Sequence, residues 1–128
     1  MNLLLDTHIF LWLNQDPSQM PPHLLDLCAD PQNTLFLSLV SPWEIQIKQQ
    51  LGKLNLQVTL GEMIAQQQAD NDLQILPITL AHIEALADLE AHHQDPFDRL
   101  LIAQAKTEAM LLVTVDRKIR DYSVMTAF

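Results

Sequence analysis

The sequence predicts an α/β fold in one domain spanning residues 1–128, built on a parallel sheet flanked by helices. Three observations predict it. Short apolar runs of strand rather than helix length recur at 2–5, 34–39 and 111–115, with 73–78 as a fourth. The segments between them carry helix signals, and strands alternating with helices need crossover connections that leave the strands parallel. At 128 residues the chain is long enough to bury one substantial core, and its 48% hydrophobic content suits an ordinary globular domain.

In chain order, strand 2–5 leads into a short helix over 8–14, and Pro22 opens a second over 22–29. After strand 34–39, Ser41-Pro42-Trp43-Glu44 reads as a helix start. Serine suits the N-cap, proline the first turn and glutamate the third position, while Trp43, Ile47 and Leu51 form an i, i+4 row ending at Gly52. Thr59-Leu60-Gly61-Glu62 is a second capping pattern, opening a helix that ends near Asn71. Strand 73–78 follows, with Pro77 near its end. Thr79 caps a helix carrying Leu80, Ile83, Leu86 and Leu89 on or near one face, and Asp95-Pro96 starts another through about Met110, before the strand at 111–115.

Composition narrows the function. Seven basic against sixteen acidic residues give a net charge of −9, which argues against nucleic-acid binding through a broad basic surface. A nuclease remains compatible, because bound cations offset local acidity and Lys48, Arg99, Arg117, Lys118 and Arg120 lie near the acidic motifs in sequence. An acidic mouth equally suits a basic protein partner. Cys28 is the only cysteine, so it forms no intramolecular disulfide, and its leucine neighbours mark it as a core thiol. Only Gly52 and Gly61 are glycines and neither sits in a phosphate-cradling loop, which disfavours nucleotide-binding fingerprints. No stretch approaches the roughly 20 apolar residues of a membrane helix, and no basic leader precedes the first strand. A cytoplasmic protein without a membrane contact is expected.

Four carboxylates fall at element ends: Asp6 after the first strand, Glu44 and Asp98 in first turns of helices, and Asp116 after the last strand. Ligands of open parallel sheets bind beyond the carboxyl ends of the strands, where these four would meet. Unpaired carboxylates repel one another at neutral pH, so a fold that gathers them usually holds a divalent cation. Each acid alone has a plainer explanation. Glu44 can complete a capping box, Asp98 can favour the positive helix terminus, and Asp6 or Asp116 can begin a turn.

The ordered segments Leu-Leu-Leu-Asp-Thr-His, Ser-Pro-Trp-Glu-Ile, Asp-Pro-Phe-Asp-Arg-Leu-Leu-Ile-Ala-Gln-Ala and Val-Thr-Val-Asp, spread over almost the whole chain, resemble the successive signatures of PIN-domain ribonucleases of the VapC toxin type. The resemblance implies a Rossmann-like PIN fold with a sheet of four to five strands, and magnesium-dependent cleavage of RNA phosphodiesters. It carries over Asp6, Glu44, Asp98 and Asp116 as the acidic constellation. Asp6 and Asp98 would be direct ligands, with Glu44 and Asp116 binding through water, holding a second ion or orienting the attacking water. Manganese can replace magnesium on such ligands. Thr7 and Thr114 resemble the family's small hydroxyl residues beside the acids, able to bind water or phosphate or to make local turn bonds.

Neighbouring residues read less sharply. Asp95 is expected to be an N-cap rather than a ligand. Arg99 either contacts an RNA phosphate or forms a salt bridge at the helix start, and Arg117, Lys118 and Arg120 read as solvated surface. His8 is a candidate substrate contact. A histidine-carboxylate site using His8, His92 or His93 lacks a recognised spacing, and His23 and His82 read as ordinary helix residues. Trp12, Trp43 and Phe97, although able to stack on bases, are expected in the core.

The leading expectation is therefore an endoribonuclease of a type II toxin-antitoxin pair, acting on RNA, inhibited by a VapB-like antitoxin and homodimeric as the resembled family typically is. The alternative is a non-catalytic PIN-like module that binds protein or RNA. A haloacid-dehalogenase-like phosphatase is disfavoured, because His8 stands where that pattern wants a second aspartate.

Overall fold

A computed structural model describes residues 1–90, 95–120 and 126–127. Five strands form one all-parallel sheet: β1 (Asn2–Leu5), β2 (Thr34–Ser38), β3 (Gln74–Leu76), β4 (Leu111–Val113) and β5 (Thr126–Ala127). Their spatial order is β3-β2-β1-β4-β5. The helices are α1 (Thr7–Gln15), α2 (Pro22–Ala29), α3 (Val40–Gln50), α4 (Leu60–Asn71), α5 (Leu80–Ala85), α6 (Pro96–Glu108) and α7 (Arg117–Arg120). This is the α/β architecture expected from the alternating pattern, and it is Rossmann-like, as the family resemblance implied.

The central strand explains why the sheet is covered on both sides. Successive strand residues point to opposite faces, and Leu3 and Leu5 enter one core with Ile9, Phe10, Leu37 and Met63, while Leu4 enters a second with Val40, Leu101, Ile102 and Leu112. A continuous leucine run is what a strand buried on both faces requires. Cys28 belongs to the first core, as expected. Among the described residues, no helix is long and apolar enough to cross a membrane.

Several sequence expectations need correction. β2 stops at Ser38, and α3 begins at Val40 with Leu39 at its N-cap, so Ser41 is inside the helix rather than capping it. The Ser38 hydroxyl accepts the Val40 amide at 3.0 Å, which starts the helix early and releases Ser41 for another contact. The expected Trp43 and Leu51 row does not pack inward: they are 56% and 63% exposed. Leu80 and Ile83 of α5 are likewise exposed, and only Leu86 and Leu89 of that row pack on the core. β3 and β4 are shorter than the apolar runs that contain them, since Val115 is already at the surface. α7 and β5 were not foreseen.

His82, read from sequence as an ordinary helix residue, is a buried structural one. Fully buried, it accepts the Thr79 amide on Nδ1 at 3.0 Å, so its proton sits on Nε2 and is donated to Glu108 of α6 at 2.9 Å. The same ring therefore caps α5 and ties it to α6.

Candidate active site

The four predicted acids lie at the carboxyl edge of the central strands. Asp6 follows β1 and caps α1, taking the Thr7 amide on Oδ1 at 2.7 Å. Its Oδ2 accepts the Thr114 hydroxyl at 2.6 Å, a bond between the ends of the neighbouring strands β1 and β4. Thr114 in turn accepts the Asp116 amide at 3.0 Å, and Asp116 Oδ1 accepts the Lys118 amide at 2.9 Å, turning the chain into α7. One threonine thus sets the position of two acids.

Glu44 does not complete a capping box. It is 3% exposed, and its Oε1 accepts the Thr7 hydroxyl at 2.8 Å while Oε2 pairs with Lys48 Nζ at 2.5 Å, one helical turn on. Because Thr7 gives its only hydroxyl proton to Glu44, the Ser41 hydroxyl, 2.9 Å away, is the donor to Thr7 Oγ1. Thr7 and Thr114 act here as braces for carboxylates. Asp98 stands in the first turn of α6, where Asp95 is the N-cap as expected, taking the Phe97 and Asp98 amides at 2.8 and 3.3 Å.

The electrostatics tie the acids together. Burial, then the charges of Asp6, Asp95, Glu44 and Asp116, push the Asp98 carboxyl up to about 8. Burial also raises Asp6, against the Thr114 hydrogen bond, the nearby His8 and the Thr7 amide, with Glu44 adding to the rise. For Lys48, burial disfavours the charged form, but the Glu44 bond and the charges of Glu44, Asp95 and Asp98 outweigh it and raise its pKa. Asp98 therefore feels every acid that the sequence nominated.

The donor set is oxygen-rich, suited to a hard divalent cation such as magnesium or manganese rather than to a soft metal. Among the described residues, no three His, Cys, Asp or Glu side chains close around one point tightly enough to hold an ion as they stand. The carboxylates of Asp6 and Glu44 bond instead to the Thr7 amide, the Thr114 and Thr7 hydroxyls and Lys48. His92 and His93 lie outside the described residues.

The lesser candidates separate. His8 is exposed on the first turn of α1, its ring 6.3 Å from that of Trp12. Arg99 donates to the Glu90 and Leu86 carbonyls at 2.9 and 3.5 Å, tying the first turn of α6 to the residues that directly follow α5. Trp12 and Phe97 are half-buried against the two cores as expected, but Trp43 is exposed and meets Phe97 edge-on at 5.1 Å. Sequence reasoning missed Ser41 and Lys48 as site residues. The i, i+4 spacing of Glu44 and Lys48 was the available signal for the second; nothing local marks the first.

The PIN domain family model matches residues 3–124, so the chain belongs to the PIN domain family. Solved structures share its fold. VapBC2 from Rickettsia felis, solved with a DNA fragment from its promoter, matches with a TM-score of 0.75 and 18% identity over 99% of this chain and 98% of that chain. VapBC-1 from nontypeable Haemophilus influenzae gives 0.65 and 17% over 99% and 97%. VapBC-5 from Mycobacterium tuberculosis, of the VapBC family of toxin-antitoxin systems, gives 0.62 and 17% over 98% and 95%. At these identities the likeness is one of fold. No curated protein matches the chain significantly.

Proposed function

We propose that this PIN-domain protein is a magnesium-dependent endoribonuclease and the toxin of a type II toxin-antitoxin pair, working in the cytoplasm. The observation that carries the reading is the gathering of Asp6, Glu44, Asp98 and Asp116 at one sheet edge, close enough for Asp98 to respond to the other three. Carboxylates crowded at that cost in repulsion fit a cation site better than a structural role.

Asp6 and Asp98 would hold the ion, with Glu44 and Asp116 acting through water or on a second ion. When bound, magnesium or manganese supplies a water of lowered pKa and offsets the negative charge that builds on a phosphodiester during in-line attack. The chain's own part is positioning. Thr114 and the Thr7 amide fix both oxygens of Asp6. Thr7 and Lys48 hold the two oxygens of Glu44, which keeps that carboxylate extended from the middle of α3.

A VapB-like antitoxin would silence the site by aiming a basic side chain at the carboxylates, a use for the net charge of −9. Exposed Leu39, Trp43, Leu80 and Ile83 offer apolar surface for the expected homodimer. Induced expression of the protein alone should arrest growth with loss of intact RNA, and co-expression of the antitoxin or the substitution Asp98→Asn should relieve both. Normal growth and intact RNA with folded, inhibitor-free protein would favour the non-catalytic PIN-like binding module instead.

A further inference from the structure

With only seven Lys and Arg in a chain of net charge −9, a cavity lined by two of them is informative. Lys48 and Lys53 line one cavity of about 240 Å³ beside the acidic site, between α1, the middle of α3 and the segment after it. Its floor is aliphatic, made by Leu11 of α1, Ile45 of α3 and Leu54. His8 stands on the rim, and Thr7 is shared with the acids, since its hydroxyl is bonded to Glu44.

Local backbone chemistry explains the convergence. α3 ends in a turn with Gly52 at φ +72°, a left-handed position that a residue with a Cβ adopts at a cost. The Lys53 amide returns to the Lys48 carbonyl at 2.9 Å, so the turn folds Lys53 back over the end of the helix that carries Lys48. Lys53 stays exposed while Leu54 turns inward onto the core. Among the described residues, no ion pair engages Lys53, whereas Lys48 is held at Glu44 and so stands between acids and cavity.

We propose that this cavity seats the RNA nucleotide next to the scissile bond, its base on Leu54 and the accessible edge of Leu11, with Ile45 beneath, and its phosphate on Lys53 and Lys48. The inference rests on the ribonuclease reading and adds where the substrate is gripped. At about 240 Å³ the cavity falls below the roughly 300–1,000 Å³ of pockets for drug-sized ligands, so it takes one ring system rather than a dinucleotide. An aliphatic floor meets the face of a base rather than its hydrogen-bonding edge, so any base is accepted. Lys53, in no ion pair among the described residues, attracts a phosphodiester and repels a basic protein segment, which separates this cavity from the acids next to it.

The test uses full-length protein in chelator, methyl-labelled at Leu and Ile, with a fluorescent mixed-sequence RNA decamer as the probe. The decamer should shift the Leu11, Ile45 and Leu54 methyls. Lys53→Gln should weaken binding about tenfold and reduce the slope of log affinity against log salt by about 0.7, the loss of one phosphate contact on a single strand. Leu54→Trp, which fills the floor, should weaken binding with the remaining methyl spectrum intact, and Lys106→Gln, on α6, should leave the slope unchanged. RNA that binds without moving these methyls, with Lys53→Gln no weaker than Lys106→Gln, overturns the pocket and leaves the ribonuclease reading standing. A wild-type protein that binds no decamer also overturns the pocket; cleavage with magnesium then decides whether the ribonuclease reading falls with it. Methyl shifts produced by polyglutamate but not by RNA would assign the cavity to an acidic protein segment, again against the proposal.

Discussion

Thr114 donates its hydroxyl to Asp6 Oδ2 at 2.6 Å across 108 positions of sequence, joining the acid after β1 to the end of β4. Both groups are buried, and the same oxygen of Thr114 receives the Asp116 amide at 3.0 Å. Thr114→Val keeps the shape but leaves Asp6 and that amide without this partner. The expected loss is about 1.5–3 kcal/mol of stability, as for a hydrogen bond to a charged buried group. Urea unfolding measures it, and cleavage should fall about tenfold or more because Asp6 is no longer fixed.

Asp98 gives the metal-free protein a defined pH dependence. Its folded carboxyl titrates near 8, above the ordinary value of 3.8, through burial and then the surrounding acids. A raised folded pKa means the folded state binds more protons than the unfolded state between those values. Its contribution is thus fully present below about 4 and is lost as pH rises toward 8. In chelator, Tm should fall across that window, and Asp98→Asn should flatten the fall.

Adding magnesium should reverse that loss. A cation bound only by the folded state at 100 times its Kd adds about 2.7 kcal/mol. Thermal scans in chelator and in excess magnesium should therefore differ by several degrees for wild type and by much less for Asp98→Asn. Equal scans for the wild type would count against a cation among the acids.

His82 belongs to the scaffold and not to the site. His82→Ala removes a fully buried ring that accepts the Thr79 amide and bonds Glu108, so a loss of about 2–4 kcal/mol is expected. The magnesium-induced rise in Tm should persist. Its disappearance would place His82 in the metal response.

Cys28 should be inert while the chain is folded. Burial pushes its thiol up to about 11, so almost no thiolate exists at pH 8. Alkylation should be slow in buffer and fast in urea.

What was legible in sequence followed local chemistry. β1, α2 and the caps at Thr59, Thr79 and Asp95 stand where the apolar runs and capping residues put them. Ser41 misled because Ser-Pro-x-Glu is a local cap pattern, yet Ser38 starts the helix and a contact with Thr7, 34 residues away, takes the Ser41 hydroxyl. Trp43, Leu80 and Ile83 misled because periodicity marks an apolar stripe without saying what covers it. α7 and β5, four and two residues long, are too short for any period to register. Asp6, Asp98 and Asp116 stand at element ends as read, whereas Glu44, expected in a first turn, lies in the second turn of α3 because the helix starts at Val40; the braces, Thr7 to Glu44 and Thr114 to Asp6, exist only once the sheet has formed.

The most direct test of the central claim is a magnesium titration of RNA cleavage by wild-type protein and Asp98→Asn, purified in parallel free of inhibitor. Wild type should cut a mixed RNA pool internally as magnesium rises and stop when chelator is added, while Asp98→Asn, folded and at least as stable in chelator, leaves the RNA intact. Cleavage of equal rate by the two proteins, or cleavage indifferent to chelator, would contradict the account.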